Sequence, residues 1–587
     1  MIRIGGRHFL RITPALFLAV CLPWQVGYAQ PSTSPQIRAE DVLGHKEQPS
    51  SAATVIGADT PAARFSAAIR LGQVGDLRFR DPKGMDAFYG ARAYRPLWVS
   101  EKGPVKQVDA VLDVLDRAWE HGLNPAAYHT QWIHEKIKED TLKDETARSS
   151  FDLVFSDAVA RYAHDLTGMR LPPSSIGEDS SSWSRGISAD KALENIAGQG
   201  RNAVPSLKAM EPADPLYTRL KGELKKTIDD IANNPDGDRP PIDYPGILRP
   251  GRTHPAIAVI RSRLGAETES GKDPAHYDEK LTEAVMQYQG KHGLKPDGLI
   301  GQRTFAAINQ GRTDRLIKIL ATMERLRWMS GYQMPDRYLE VNIPAMHLRV
   351  VEGGKTAFEM PVIIGREERQ TPSFIAEVTG IRFNPSWHVP DTIKTKDFLP
   401  ELQKDPAALE KKRINFIVRT EEGSKVVTPQ EIDWANVTPR DLKSISMVQG
   451  PGNDNALGRI RILMPNRYDV YLHDTNSPNL FAKDYRALSS GCVRLAEPRR
   501  IASFILGPND GWTDEKMEKL LSRAKTAEVR AEKPLTIFIL YQTVWENSDG
   551  ELVIGDDVYG RDISLIKALQ SNGQISFPIN LNNFKSL

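Results

Sequence analysis

"VYLHDTNSPNLFAKDYRALSSGCVRL", residues 470–495, decides how this chain is read. The run Tyr468-Asp469-Val470-Tyr471-Leu472 alternates, which predicts a strand over 467–474 with His473 near its end, facing a cleft. Fifteen residues then separate His473 from Ser489, and Ser489-Ser490-Gly491-Cys492-Val493-Arg494 follows. A cysteine nucleophile needs thiolate character, a base within reach and donors for the developing oxyanion. His473 is a candidate base. Gly491 lets the backbone turn sharply and brings amide N–H groups near a bound carbonyl. Arg494 places positive charge that favours a thiolate or a substrate carboxylate. From these residues alone two readings stand, since cysteine is also a common small buried hydrophobe and a strand histidine an ordinary polar residue.

Composition sharpens the choice. The chain has 587 residues, too many for one hydrophobic core, and only two cysteines, Cys21 and Cys492. Residues 1–29 read as an export signal, with Arg3, Arg7 and Arg11, the apolar run Pro14 to Gly27, and Gly27-Tyr28-Ala29 as a small-residue cleavage site. An uncleaved membrane anchor is the alternative, though Pro14 and Pro23 break the apolar run. Cleavage would remove Cys21 and leave Cys492 a free thiol in an exported protein, exposed to oxidation. Without those three arginines the chain holds 74 basic against 75 acidic residues, so no broad field favours nucleic acid as a partner. No cysteine cluster or His-rich metal spacing is present, and no cofactor is called for.

Further organisation follows from pattern. Residues 30–62 lack aromatics and any hydrophobic period and read as a flexible tether. Residues 63–247 are helical in period, as in Val108, Val111, Leu112 and Leu115 before Gly122. Residues 248–310 read as a three-helix module with the turn "DGLIGQRTFAAI", in which Gly301 is expected to permit a tight backbone. A helix within 311–337 precedes a mainly β domain over 338–587. There "LRVVEGGKTAFEMPVIIG" (348–365) predicts a hairpin, and 391–448 forms a charged insertion of lid-like length.

The stretch at 470–495 resembles the active-site motif of the L,D-transpeptidases with a YkuD-type catalytic domain: a histidine, 14 to 17 residues, then S/T-H-G-C, an apolar residue and Arg or Asn. Ser490 departs from that pattern, as it does in the YcbB-like branch, which leaves His473 as the family-matched base. "VNIPAMHLRV" (341–350), "NPSWHVP" (384–390), "PGNDNALG" (451–458) and "DVYGRD" (557–562) also resemble that branch. Asp297, Gly298, Gly301 and Thr304 match the D-G-x-x-G-x-x-T signature of the peptidoglycan-binding domain. The resemblance implies a multidomain α+β protein with a helical scaffold, a peptidoglycan-binding module and a catalytic domain carrying a lid-like insertion. It implies acyl transfer on peptidoglycan stems through a Cys492 thioester, with His473 as general base and acid. It further implies Gly491 as oxyanion-hole backbone, Arg494 as an electrostatic or substrate contact and Ser490 as a motif residue. Tyr471 and Trp387 are candidates to line the donor cleft, with strand packing as the alternative; Asp474 either orients His473 or holds a turn. Neither metal nor cofactor is implied, and carbapenems are expected to acylate Cys492. Hydrolysis of the thioester, transfer to an envelope protein and a non-catalytic wall-binding scaffold are the competing outcomes. The sequence around Cys492 lacks the signature of a papain-type protease.

Overall fold

The computed structural model describes residues 60–577 apart from 139–141, 143, 180, 198–202, 235–239, 421–422 and 508–510. The expected export signal, Cys21 and nearly all of the expected tether lie outside the described residues.

The first part of the chain is a helical layer around α1 (Glu145–Thr167), whose side chains are buried on nearly every face. Asp144 caps its start by accepting the Ala147 N–H. Helix α2 (Pro215–Asn233) follows. The three-helix module is α3 (Pro255–Leu264), α4 (Glu279–Lys291) and α5 (Gln302–Ile308). Its signature residues gather around one buried side chain, Gln289. The Gln289 amide donates to Asp297, to the Leu299 carbonyl at 2.9 Å and to Thr304 at 3.1 Å, and accepts from the Gly298 N–H. Gly298 has φ +67, whereas Gly301 is extended at φ −92, so the expected tight backbone is needed at the first glycine and not the second.

Helix α6 (Arg312–Trp328) is buried along almost its whole length, because both sides of it are occupied. Leu316, Ile317, Ile319, Leu320 and Met323 share one core with Met169, Tyr217 and Leu220 of the helical layer and with Phe538, Leu540 and Leu565 of the β domain. Its buried charges are paired. Glu324 accepts from Arg170 at 2.7 Å and from Arg327 at 2.6 Å, and Arg325 pairs with Asp562. Burial alone would raise the Glu324 pKa, but the two guanidinium groups hold it at about 2.

The β domain opens with β1 (Arg337–Asn342), β2 (His347–Glu352) and β3 (Lys355–Gly365). The β2–β3 hairpin turns on Gly353 and Gly354, both at positive φ, as its sequence requires. Next come β4 (Phe374–Phe383) and β5 (Trp387–His388), then, in the insertion, β6 (Ile414–Thr420), β7 (Gly423–Val427) and β8 (Ile445–Gln449). The main sheet is completed by β9 (Ile460–Leu463), β10 (Leu472–His473), β11 (Ala487–Ser489), β12 (Val493–Leu495) and β13 (Ala527–Leu540). The main sheet runs β11-β3-β12-β10-β9-β4-β13-β1-β2, and β2 pairs back onto β3, so the sheet closes on itself. Its interior holds Leu339, Ile381, Ile462, Leu472, Val493 and Ile537 among others.

The insertion is a body of its own. Strands β7-β6-β8-β5 form a second sheet, and Trp387, Phe398, Leu402, Phe416, Trp434 and Met447 form a second core. The strand expected over 467–474 shrinks to Leu472–His473. Asn466 accepts the Tyr468 N–H and donates to the Val470 carbonyl, and Asp469 takes φ +52, which makes 466–470 a turn.

Candidate active site

Strand pairing brings the chemistry together. Strand β10 lies between β9 and β12, with His473 opposite Arg461 on one side and Arg494 on the other. Arg461 in turn faces Arg382 of β4, and Arg382 faces Glu528 of β13. Side chains alternate along a strand, so Ile460, Ile462, Leu472 and Val493 enter the core while Arg461, His473 and Arg494 occupy the other face. Tyr471 and Cys492, each two residues from a member of that row, join the same face.

The turn that carries Cys492 is tightly held. Gly491 takes φ +116, open to glycine and strained for other residues, although a Cβ would find space there. Ser489 donates to the Cys492 carbonyl and accepts the Gly491 N–H at 3.1 Å. That amide, expected to serve an oxyanion, is thus occupied. Thr371 donates to the Gly491 carbonyl at 2.8 Å and accepts the Gly365 N–H at 2.9 Å. Tyr559 donates to the Gly365 carbonyl and accepts the Thr371 N–H. Tyr559 lies within "DVYGRD"; the part played by Thr371 has no local signal in sequence.

Cys492 is half-buried, and desolvation of its sulfur raises the thiol pKa, opposed by hydrogen bonding from Tyr471 and by the charges of Arg461 and Arg494. The Tyr471 hydroxyl meets the sulfur, Arg461 stacks 3.9 Å from the Tyr471 ring centroid, and the ring sits edge-on to His473 at 5.7 Å. His473 is buried; desolvation, then Arg494, lowers its pKa to about 3. Its Nδ1 bonds the Asp474 carbonyl, which only accepts, so Nδ1 carries the proton of the neutral ring, and the Leu457 carbonyl also accepts from the imidazole. No hydrogen bond joins Cys492 to His473 among the described residues. The resting pair is therefore neutral thiol and neutral imidazole.

Three other expected residues separate. The Asp474 carboxylate accepts the Arg459 and Thr475 N–H groups at 2.8 and 2.7 Å, so it holds the turn and only its backbone carbonyl meets His473. Trp387 packs edge-on to Phe398 in the insertion core. Ser490 is exposed and accepts from Arg369 at 3.0 Å, while Arg369 makes two hydrogen bonds to Asp397 of the insertion, at 2.6 and 2.8 Å. Arg461 was not singled out by sequence, since its place in the row depends on register; the alternation Arg459-Ile460-Arg461-Ile462 is its only local mark.

Closed sheet and site together define a β domain with one cysteine on a polar sheet face, flanked by a histidine and two cations. Residues 336–529 match the L,D-transpeptidase catalytic domain, YkuD; residues 83–224 match the scaffold domain and 262–308 the "Putative peptidoglycan binding domain". The chain carries a YkuD-type L,D-transpeptidase catalytic domain together with a peptidoglycan-binding domain. A "Putative L,D-transpeptidase" of Haemophilus influenzae is 33% identical over 249 residues, 42% of this chain and 48% of that relative, so the match spans about half the relative's length. Among solved structures, the L,D-transpeptidase (residues 123–326) of Xylanimonas cellulosilytica aligns at 14% identity over 51% of this chain and all of its own, with a TM-score of 0.18. LdtMt1 in complex with imipenem aligns at 12% identity over 35% of this chain and 59% of its own, with a TM-score of 0.16.

Proposed function

We propose that the chain is a peptidoglycan L,D-transpeptidase of the YcbB-like branch that forms 3→3 cross-links. The observation that carries this reading is the gathering of Cys492, His473, Tyr471 and two arginines on one face of the catalytic sheet. The Cys492 sulfur attacks the carbonyl of the third residue, meso-diaminopimelate, in a tetrapeptide stem. Because the resting pair is neutral, His473 Nε2 takes the thiol proton as the C–S bond forms. The Cys492 N–H faces the developing oxyanion. The C–N bond to D-Ala then breaks, the imidazolium protonates the leaving amine, and a thioester remains. A diaminopimelate side-chain amine of a neighbouring stem attacks the thioester, the C–S bond breaks, and the amine's proton returns through His473 to sulfur. The energy of the cleaved peptide bond is carried in the thioester, so the scheme consumes no nucleotide.

The acceptor defines the reaction. Water in place of the amine gives an L,D-carboxypeptidase, and a lysine of an envelope protein gives anchoring. The peptidoglycan-binding domain favours an acceptor that is itself wall. An exported enzyme, released into the periplasm or held at the inner membrane by an uncleaved N-terminus, fits this substrate. Incubating the protein and Cys492→Ala with tetrapeptide muropeptides, then weighing the products, tests the reading. A dimer lacking one D-Ala is expected from the native protein alone, as is a carbapenem adduct on Cys492. Tripeptide without dimer would overturn cross-linking, and equal activity in Cys492→Ala would overturn the mechanism.

A further inference from the structure

Five charged or titratable side chains stand in register across the sheet: Glu528, Arg382, Arg461, His473 and Arg494. The single carboxylate of the row, Glu528, is hydrogen-bonded to Arg382. Neither Arg461 nor Arg494 has an ion-pair or hydrogen-bond partner among the described residues, and the Nε of each is buried without an acceptor. Asp474, the acid next to His473 in sequence, has both carboxylate oxygens on backbone amides. Two half-buried guanidinium groups without an anion are costly in a folded protein, and arginine pairs of this kind suit the planar fork of a carboxylate.

Both cations bear on the reacting atoms, since each acts electrostatically on the thiol and on the imidazole. They also work against the chemistry when nothing is bound, because they oppose the imidazolium that attack must create. A bound anion removes that opposition. In a donor stem the carboxylate closest to the scissile carbonyl is the free C-terminus of the leaving residue, whereas the second carboxylate of diaminopimelate lies at the far end of a side chain.

We propose that Arg461 and Arg494 form a subsite for the free C-terminal carboxylate of the donor, with Arg461 as a specificity-determining residue that selects stems ending one residue past the scissile carbonyl. This rests on the acyl-transfer reading above. Arg461 approaches from over the Tyr471 ring and Arg494 from the far side of His473, so the carboxylate sits between them with the scissile bond over Cys492. Binding the leaving residue then both positions the donor and relieves the charge that depresses the base.

The test compares a tetrapeptide donor ending in D-Ala with the same donor ending in D-Ala amide. The rate of Cys492 acyl-enzyme formation is read by intact mass, in the native protein, Arg461→Gln and Arg461→Lys. The native protein is expected to favour the acid by about 100-fold in kcat/KM, because a desolvated charge pair is lost with the amide. Arg461→Gln is expected to reduce that preference below about tenfold, and Arg461→Lys, which keeps the charge without the fork, to fall between. Equal rates on both donors in the native protein, or an unchanged preference in Arg461→Gln, would overturn the proposal. The native comparison decides it even if the variants fail to fold. Absence of a Cys492 adduct with either donor would instead overturn the acyl-transfer reading, and this inference with it.

Discussion

At the scale of single residues, His473 is an imidazole held neutral by its surroundings. Burial and Arg494 hold it at about 3, against about 6.5 for a free imidazole. A depressed folded pKa means the native state keeps His473 neutral while the unfolded chain protonates it, so stability is intact above pH 6.5 and falls as pH drops towards 3. Between pH 7 and 4.5 this one group costs about 2–3 kcal/mol. Replacing His473 by Gln should remove that share of the acid sensitivity, read as a smaller loss of thermal stability between the two pH values, while abolishing acylation of Cys492. An unchanged acid loss would show that the imidazole is solvated. The motif around His473 and Cys492 is readable from sequence because its residues lie close in the chain. Arg461 and Thr371 are not, since one reaches the site through strand register and the other through a hydroxyl spanning two loops.

At the scale of elements, the insertion touches the turn that carries Cys492 through a short relay. Asp397 lies in a π-helical turn, Lys394–Phe398, and pairs with Arg366 and Arg369, and Arg369 reaches Ser490. The serine that departs from the commoner histidine thus takes a hydrogen bond from the residue that holds the insertion. Asp397→Ala should raise amide hydrogen exchange across 391–404, which depends on this tie, and leave the β6–β8 ladder protected by its own core. No change in exchange would mean that the packing of Tyr471, Ala456 and Leu457 against the insertion core holds it without this tie. The hairpin at Gly353-Gly354 is plain in sequence because glycine chemistry dictates it. The turn at 466–470 is not, since its alternation mimics a strand and only the Asn466 side chain decides otherwise.

At the scale of the whole molecule, α6 ties the helical layer to the β domain. Its pattern is legible as a helix, whereas the meeting of Arg170, Glu324 and Arg327 in the interior has no local signal. Glu324→Ala leaves two buried cations unpaired and should destabilise the protein by about 3–5 kcal/mol, measured by denaturant unfolding. Loss of less than about 1 kcal/mol would place water in that junction. The module's signature is likewise legible, yet Asp297, Gly298 and Thr304 are spent on Gln289, so they build the module's frame. The insertion is joined in the opposite manner to α6. The chain enters it at Trp387 and leaves it at Gln449, and these two residues face each other across one antiparallel pair. Entry and exit coincide, so the whole segment behaves as a cassette. Evolution can lengthen, exchange or excise it at that doorway without moving a strand of the catalytic sheet, and an engineer can graft a different fold there.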